Sequence, residues 1–106
     1  MRVISQHGNV DLPYEQIVVC HAMESVIALY NGEKYVLGEY SSKEKSYKAM
    51  KMLREQYSRI RIIKALASGT CEYMEKSLKP EEFKDTLEEY INMEVFQFPQ
   101  DDEIEV

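Results

Sequence analysis

The chain has no tryptophan, and it holds only two cysteines, two histidines, four glycines and three prolines. Each shortage excludes something. Cys20 and Cys71 are too few for a disulfide scaffold, so both read as reduced, small core hydrophobes. Cys20 and His21 are sequence neighbours and would point to opposite faces of a strand, so with His7 they make no metal-ligand set. The small share of glycine and proline excludes collagen-like or low-complexity design. No apolar run approaches the ~20 residues that span a membrane. The opening Met1-Arg2-Val3-Ile4-Ser5-Gln6-His7-Gly8 lacks the apolar core of a signal peptide. A cytoplasmic protein without membrane contact is therefore expected.

Catalytic signatures are missing as well. There is no Walker loop, GxGxxG, GxSxG or HExxH. The paired acids Glu81-Glu82, Glu88-Glu89 and Asp101-Asp102 are sequence neighbours, which do not converge on a helix. No nucleophile–base pair can be named. The expectation is a non-enzymatic protein with no cofactor and no metal.

What is present is a single domain's worth of core with an uneven charge. The 106 residues are 44% hydrophobic and 30% charged, which suits one globular unit. The net charge of −6 excludes general nucleic-acid binding. Residues 1–42 carry two bases and five acids, for −3. Residues 43–64 carry eight bases and two acids, for +6, and residues 72–106 carry three bases and twelve acids, for −9. One basic stripe thus lies between acidic flanks, and such asymmetry creates a local positive potential.

The pattern predicts an α+β fold, with an antiparallel sheet of about five or six strands packed around one main helix and a second, C-terminal helix. Strands are expected at Met1–Ser5, through Ile17-Val18-Val19-Cys20 to Ala22, at Ser25–Tyr30 and at Tyr35–Tyr40, with Asp11–Tyr14 an extended stretch that Pro13 confines to an edge or turn. Asn31-Gly32 signals a type I′ hairpin. Ser41 and Glu44 match a capping box with Ser41 as N-cap, and Tyr47, Met50, Leu53 and Tyr57 then form the apolar face, with Ala49 at its margin. Arg54 falls at the edge of that face, where half-burial is expected. Ile60–Leu66 fits a helix or a strand; its three isoleucines favour the strand. Ser68-Gly69-Thr70 reads as a break and Cys71–Leu78 as a short helical turn. Pro80 opens the second helix, which ends at Asn92. Met93–Phe98 alternates as a last strand, so 1–99 forms the domain and 100–106 a frayed acidic tail.

A phosphate-bearing small ligand needs arginine, an aromatic platform and amides. Arg54, Tyr57, Arg59, Arg61, Tyr90 and Asn92 supply this set, with Gln97 nearby, if the second helix or last strand approaches the first helix. The same residues have a plainer use. A basic first helix and an acidic second helix complement each other within one chain or across a homodimer. Of the eight tyrosines, Tyr47 and Tyr57 read as core, and Tyr30, Tyr35 and Tyr40 as cross-strand packing around the hairpin.

The segments MRVISQHGNVDLPYEQ and LGEYSSKEKSYKAMKMLREQY, with the closing FQFP and acidic tail, resemble a group of small proteins from phages and integrated elements of Gram-positive bacteria. The inferred layout is also similar to the first Thoeris anti-defence family. That family comprises phage proteins that sequester cyclic ADP-ribose-type immune signals without turnover and that oligomerise. No binding residue carries over by position, so the candidate site rests on charge and spacing alone. The resemblance implies a bacterial host cytoplasm, a small anionic nucleotide-like ligand (cyclic ADP-ribose or cyclic oligonucleotide class), and a homodimer or higher oligomer. The alternative is an acidic interaction protein, a DNA mimic or anti-CRISPR-like inhibitor, that uses residues 72–106 to block a host nucleic-acid-binding protein.

Overall fold

The computed structural model describes residues 1–77 and 92–105, with helix side chains as far as Ala65. It is an α+β arrangement of one main helix and two three-stranded sheets. The first sheet joins β1 (Arg2–Ile4), β2 (Asp11–Pro13) and β6 (Val95–Gln97) in the order β2-β1-β6. The second is a meander of β3 (Val18–Ala22), β4 (Ser25–Tyr30) and β5 (Glu33–Glu39). The helix α1 runs from Lys43 to Ser77. Among the described residues, no helix is long and apolar enough to cross a membrane.

The meander follows its local chemistry. Asn31 and Gly32 both adopt positive φ, at 51° and 80°, as the two-residue turn between Tyr30 and Glu33 requires. The Val18–Ala22 and Ser25–Tyr30 strands pair antiparallel through a second two-residue turn, in which Met23 holds φ 57° while 78% exposed. The register between β4 and β5 slips by one residue. Val26 faces Gly38, Ile27 faces Val36, and Leu37 is the extra residue. A bulge of this kind kinks its strand and frees backbone groups for other partners. Here Leu37 enters the core with no exposure, and its carbonyl accepts the Gln6 N–H at 2.7 Å. The Gln6 Oε1 in turn accepts the Glu39 N–H at 3.1 Å. Those two bonds join the sheets. Gly38 is needed beside them, because a Cβ there would lie 2.9 Å from the Tyr40 ring.

The other sheet is assembled from remote pieces. Val3 faces Leu12 in the antiparallel β1–β2 pair and Phe96 in the parallel β1–β6 pair. All three side chains are buried. Their cluster continues through Val26, Ala28, Leu37, Tyr40, Ala49, Leu53, Ile60, Phe98 and Ile104, so one core spans both sheets and the helix.

Several sequence expectations are corrected. The strands do not form one antiparallel sheet of five or six: β1 pairs with β2 and, in parallel, with β6, while β3, β4 and β5 pair among themselves, which gives two sheets of three. The expected second helix, Pro80–Asn92, is not matched, since 78–91 lie outside the described residues. Ile60–Leu66 is helical, as are Ser68-Gly69-Thr70 and the chain on to Ser77. Burial of Ile60 (1% exposed) against the sheets outweighs the β-propensity of its neighbours. The helix begins one residue later than expected, and the cap is Ser42. Its Oγ accepts the Lys45 N–H at 3.2 Å.

Residues 100–105 are tied to the domain rather than frayed. Ile104 is 4% exposed, and the Pro99 carbonyl accepts hydrogen bonds from Tyr40 Oη (2.9 Å) and Gln6 Nε2 (3.2 Å). Asp101 Oδ1 accepts the Ser41 N–H at 2.7 Å, and Lys45 Nζ reaches Asp101 Oδ2 at 3.2 Å. Lys48 Nζ donates to the Glu105 carbonyl. This segment straps the start of α1 to the meander.

Candidate functional site

Helix α1 turns its Ala49, Leu53 and Ile60 face inward. Side chains one position on, about 100° round the helix, flank that face. Arg54 and Arg61 lie there two turns apart, with Tyr57 between them. Met50, Leu53 and Arg54 meet Tyr14, Glu15, Ile17 and Val19 around a cavity of about 310 Å³. Pro13 ends β2 and a short 3-10 turn, Tyr14–Gln16, follows, which carries Tyr14 over to the helix. The Tyr14 and Tyr57 rings stand 4.5 Å apart between centroids at 48°. Burial chiefly, then the neighbouring Tyr57, pushes the Tyr14 phenol above its ordinary value, and Arg54 opposes them. Glu15 is held below the usual carboxylate range, first by its hydrogen bond from the Met1 amino group at 2.7 Å.

A second, shallower cleft of about 340 Å³ lies on the outer side of Arg54, lined by Tyr47, Lys48, Lys51, Met52 and Glu55. Arg54 therefore borders both. One side offers aromatic walls and the other offers cationic ones.

Most of the lysines of the basic stripe are occupied. Lys45 pairs with Asp101, Lys51 with Glu55 at 3.9 Å, and Lys64 with Glu94 at 3.2 Å. Arg54, Arg59 and Arg61 form no ion pair among the described residues. Of the residues expected from sequence, the structure brings together Arg54 and Tyr57, with Arg61 along the same side. Arg54 is exposed rather than half-buried. Arg59 is exposed and lies about 140° round the helix from Arg54. Tyr90 lies outside the described residues. Asn92 is exposed, and its neighbour Met93 offers its carbonyl to Gln56 Nε2 at 2.8 Å. Gln56 sits about 200° round the helix from Arg54, so Asn92 is not brought to it. Gln97 is exposed on β6, away from both clefts.

Sequence reasoning missed Tyr14, Glu15, Ile17 and Val19. Nothing local marks them, because only the fold brings that turn to α1. It also misplaced Tyr47, which is 60% exposed instead of core. Its ring stacks on His21 with centroids 4.1 Å apart and planes 8° from parallel. His21 Nε2 also contacts the Ser46 hydroxyl. This pair is not built as a nucleophile and base. Ser46 is buried and its hydroxyl donates to the Lys43 carbonyl at 2.7 Å, so the imidazole is left to donate to Ser46 Oγ. The contact fastens β3 to the first turn of α1. Among the described residues, no group of three or more His, Cys, Asp or Glu could hold a metal ion.

No family model, curated protein or solved structure matches the chain.

Proposed function

We propose that the chain binds and holds a small nucleotide-like anion in the cleft between α1 and the Tyr14 turn, and releases it unchanged. The observation that carries this reading is the Tyr14–Tyr57 ring pair beside a cavity rimmed by Arg54, which has no ion-pair partner among the described residues. A heterocyclic base would lie against the tyrosines, and a phosphate would take the Arg54 guanidinium in a bidentate pair. The cavity is at the small end for ligand sites, so a diphosphate would extend past Arg54 toward Lys51 and Tyr47. Arg61 lies one turn beyond Tyr57 and would add charge. This fits the cyclic ADP-ribose or cyclic oligonucleotide class and the sequestering, anti-defence role in a bacterial host that the sequence resemblance implies. Function by sequestration asks for no acid, base or nucleophile.

The DNA-mimic reading has less support. Of the carboxylates it would use, Asp101 is already bound by Ser41 and Lys45, while Asp102, Glu103 and Glu105 stay exposed.

Titration calorimetry with cyclic ADP-ribose and with a cyclic dinucleotide tests the proposal. At least one is expected to bind, and denaturation is expected to return it intact. Arg54→Glu should abolish binding with the circular dichroism spectrum unchanged, because Arg54 is exposed. Absence of binding by both ligands, or equal binding by Arg54→Glu, would overturn the reading.

A further inference from the structure

Two three-stranded sheets have four edges, and three of these are blunted. β2 is three residues long and ends in Pro13. The outward Val95 carbonyl of β6 accepts Gln56 Nε2 at 3.0 Å. The outer side of β5 is taken by Gln6 through Leu37 and Glu39. The fourth edge, β3, has the sequence VVCHA, with no lysine, proline or bulge, and no segment among the described residues pairs with its outer side.

The pairing shows which of its backbone groups are unsatisfied. The Tyr40 N–H donates to the Glu24 carbonyl, so Ser25 and Glu39 are a non-hydrogen-bonded pair. Ser25 therefore turns its N–H and C=O toward Ala22. The alternation then directs the groups of Ala22, Cys20 and Val18 at β4, and those of Val19 and His21 outward. No other backbone group among the described residues bonds to Val19 or His21.

We propose that β3 pairs antiparallel with β3 of a second copy about a twofold axis at Cys20, making one continuous six-stranded sheet. The strand suits itself. Val19 would face the partner's His21, and His21 the partner's Val19, so all four outward groups on each side are used. Farther out, Val18 would face the partner's Ala22, and Ile17 the partner's Met23. Glu24 would face the partner's Gln16, so no like charges meet. Val18 and Met23, 61% and 78% exposed in the single chain, gain apolar neighbours. An uncharged edge carries nothing to select a foreign strand, whereas its register matches a copy of itself. This inference does not depend on the ligand reading.

Cys20 supplies the readout. As a central non-hydrogen-bonded pair, the two Cys20 Cα atoms would lie about 4.5 Å apart, within disulfide range. The full chain is expected to sediment at twice 12.5 kDa. With Cys71→Ser leaving Cys20 as the single thiol, diamide should accept the two electrons and leave a disulfide-linked dimer. Val19→Pro removes an N–H that faces away from β4, so it should leave the meander folded. Dimerisation should weaken about tenfold or more, and cross-linking should be lost. A monomer at all concentrations, a chain that fails to cross-link, or a folded Val19→Pro dimer as tight as the parent would overturn the inference. Should Val19→Pro not fold, cross-linking and sedimentation of the Cys71→Ser chain decide alone.

Discussion

The two sheets solve opposite problems. The meander is made from neighbouring segments, with strands of five to seven residues joined by two-residue turns. The β2-β1-β6 sheet has strands of only three residues, and β1 pairs with a segment from the far end of the described chain. Yet the short sheet buries one residue of each strand, Val3, Leu12 and Phe96, and exposes Val95, while the longer-stranded meander leaves Val18, Leu29 and Val36 on an exposed outer face. Local hydrogen bonding makes the meander self-sufficient enough to keep apolar surface and an open edge. The remote sheet has no such support and depends on its core contacts.

The sharpest way to break that contrast is to truncate one residue in each sheet. Phe96→Ala, at 6% exposure in β6, is expected to cost about 3–5 kcal/mol, and Leu29→Ala on the outer face under about 1 kcal/mol, both read by urea unfolding. Equal losses would contradict the comparison. Next comes the junction between the sheets. Gly38→Ala forces a Cβ against Tyr40 and should destabilise by about 1–3 kcal/mol, with Gly38→Ala/Tyr40→Leu recovering part of the loss.

A third test concerns the strap that ties the start of α1 to the meander. The Ser41 N–H chiefly, with Lys45 adding to it, lowers the Asp101 carboxyl below its ordinary range, against the opposing effect of burial. A folded-state value below the unfolded one stabilises the protein above the unfolded pKa, and that contribution fades as pH falls through the folded value. Asp101→Asn should therefore lower Tm at neutral pH, and the two melting curves should converge on acidification. The smallest effect is expected in the meander's own turn. Met23 sits in a left-handed conformation that glycine adopts without steric cost, so Met23→Gly should raise stability by up to about 1 kcal/mol in thermal melts.

The same contrast explains what was legible in the sequence. The meander could be read from alternation and from Asn31-Gly32, because its determinants lie within a few residues. The parallel partnership of β1 and β6 could not, since MEVFQF alternates identically whichever strand it joins. The capping serine was misread by one position because Ser41 and Ser42 are chemically equivalent locally. The distant Asp101 takes the Ser41 N–H and leaves Ser42 to cap. Tyr47 joins Leu53 only through steps of three, and six residues place it about 120° round the helix, where its ring stacks on His21 outside the core. At the site, Arg54, Tyr57 and Arg61 follow from helical spacing in a basic stripe. Tyr14 does not, because its pairing with Tyr57 spans the whole meander.

The pairing of Arg2 with Val95 has a consequence for synthesis. The meander and the start of α1 emerge from the ribosome early and can fold on the local timescale of turns and helices. β1 is made before either of them, but its second neighbour follows only about ninety residues later. Until then Val3 faces no Phe96, and β1 presents an open edge to the solvent. Closure of this sheet thus waits for a segment made about ninety residues after β1.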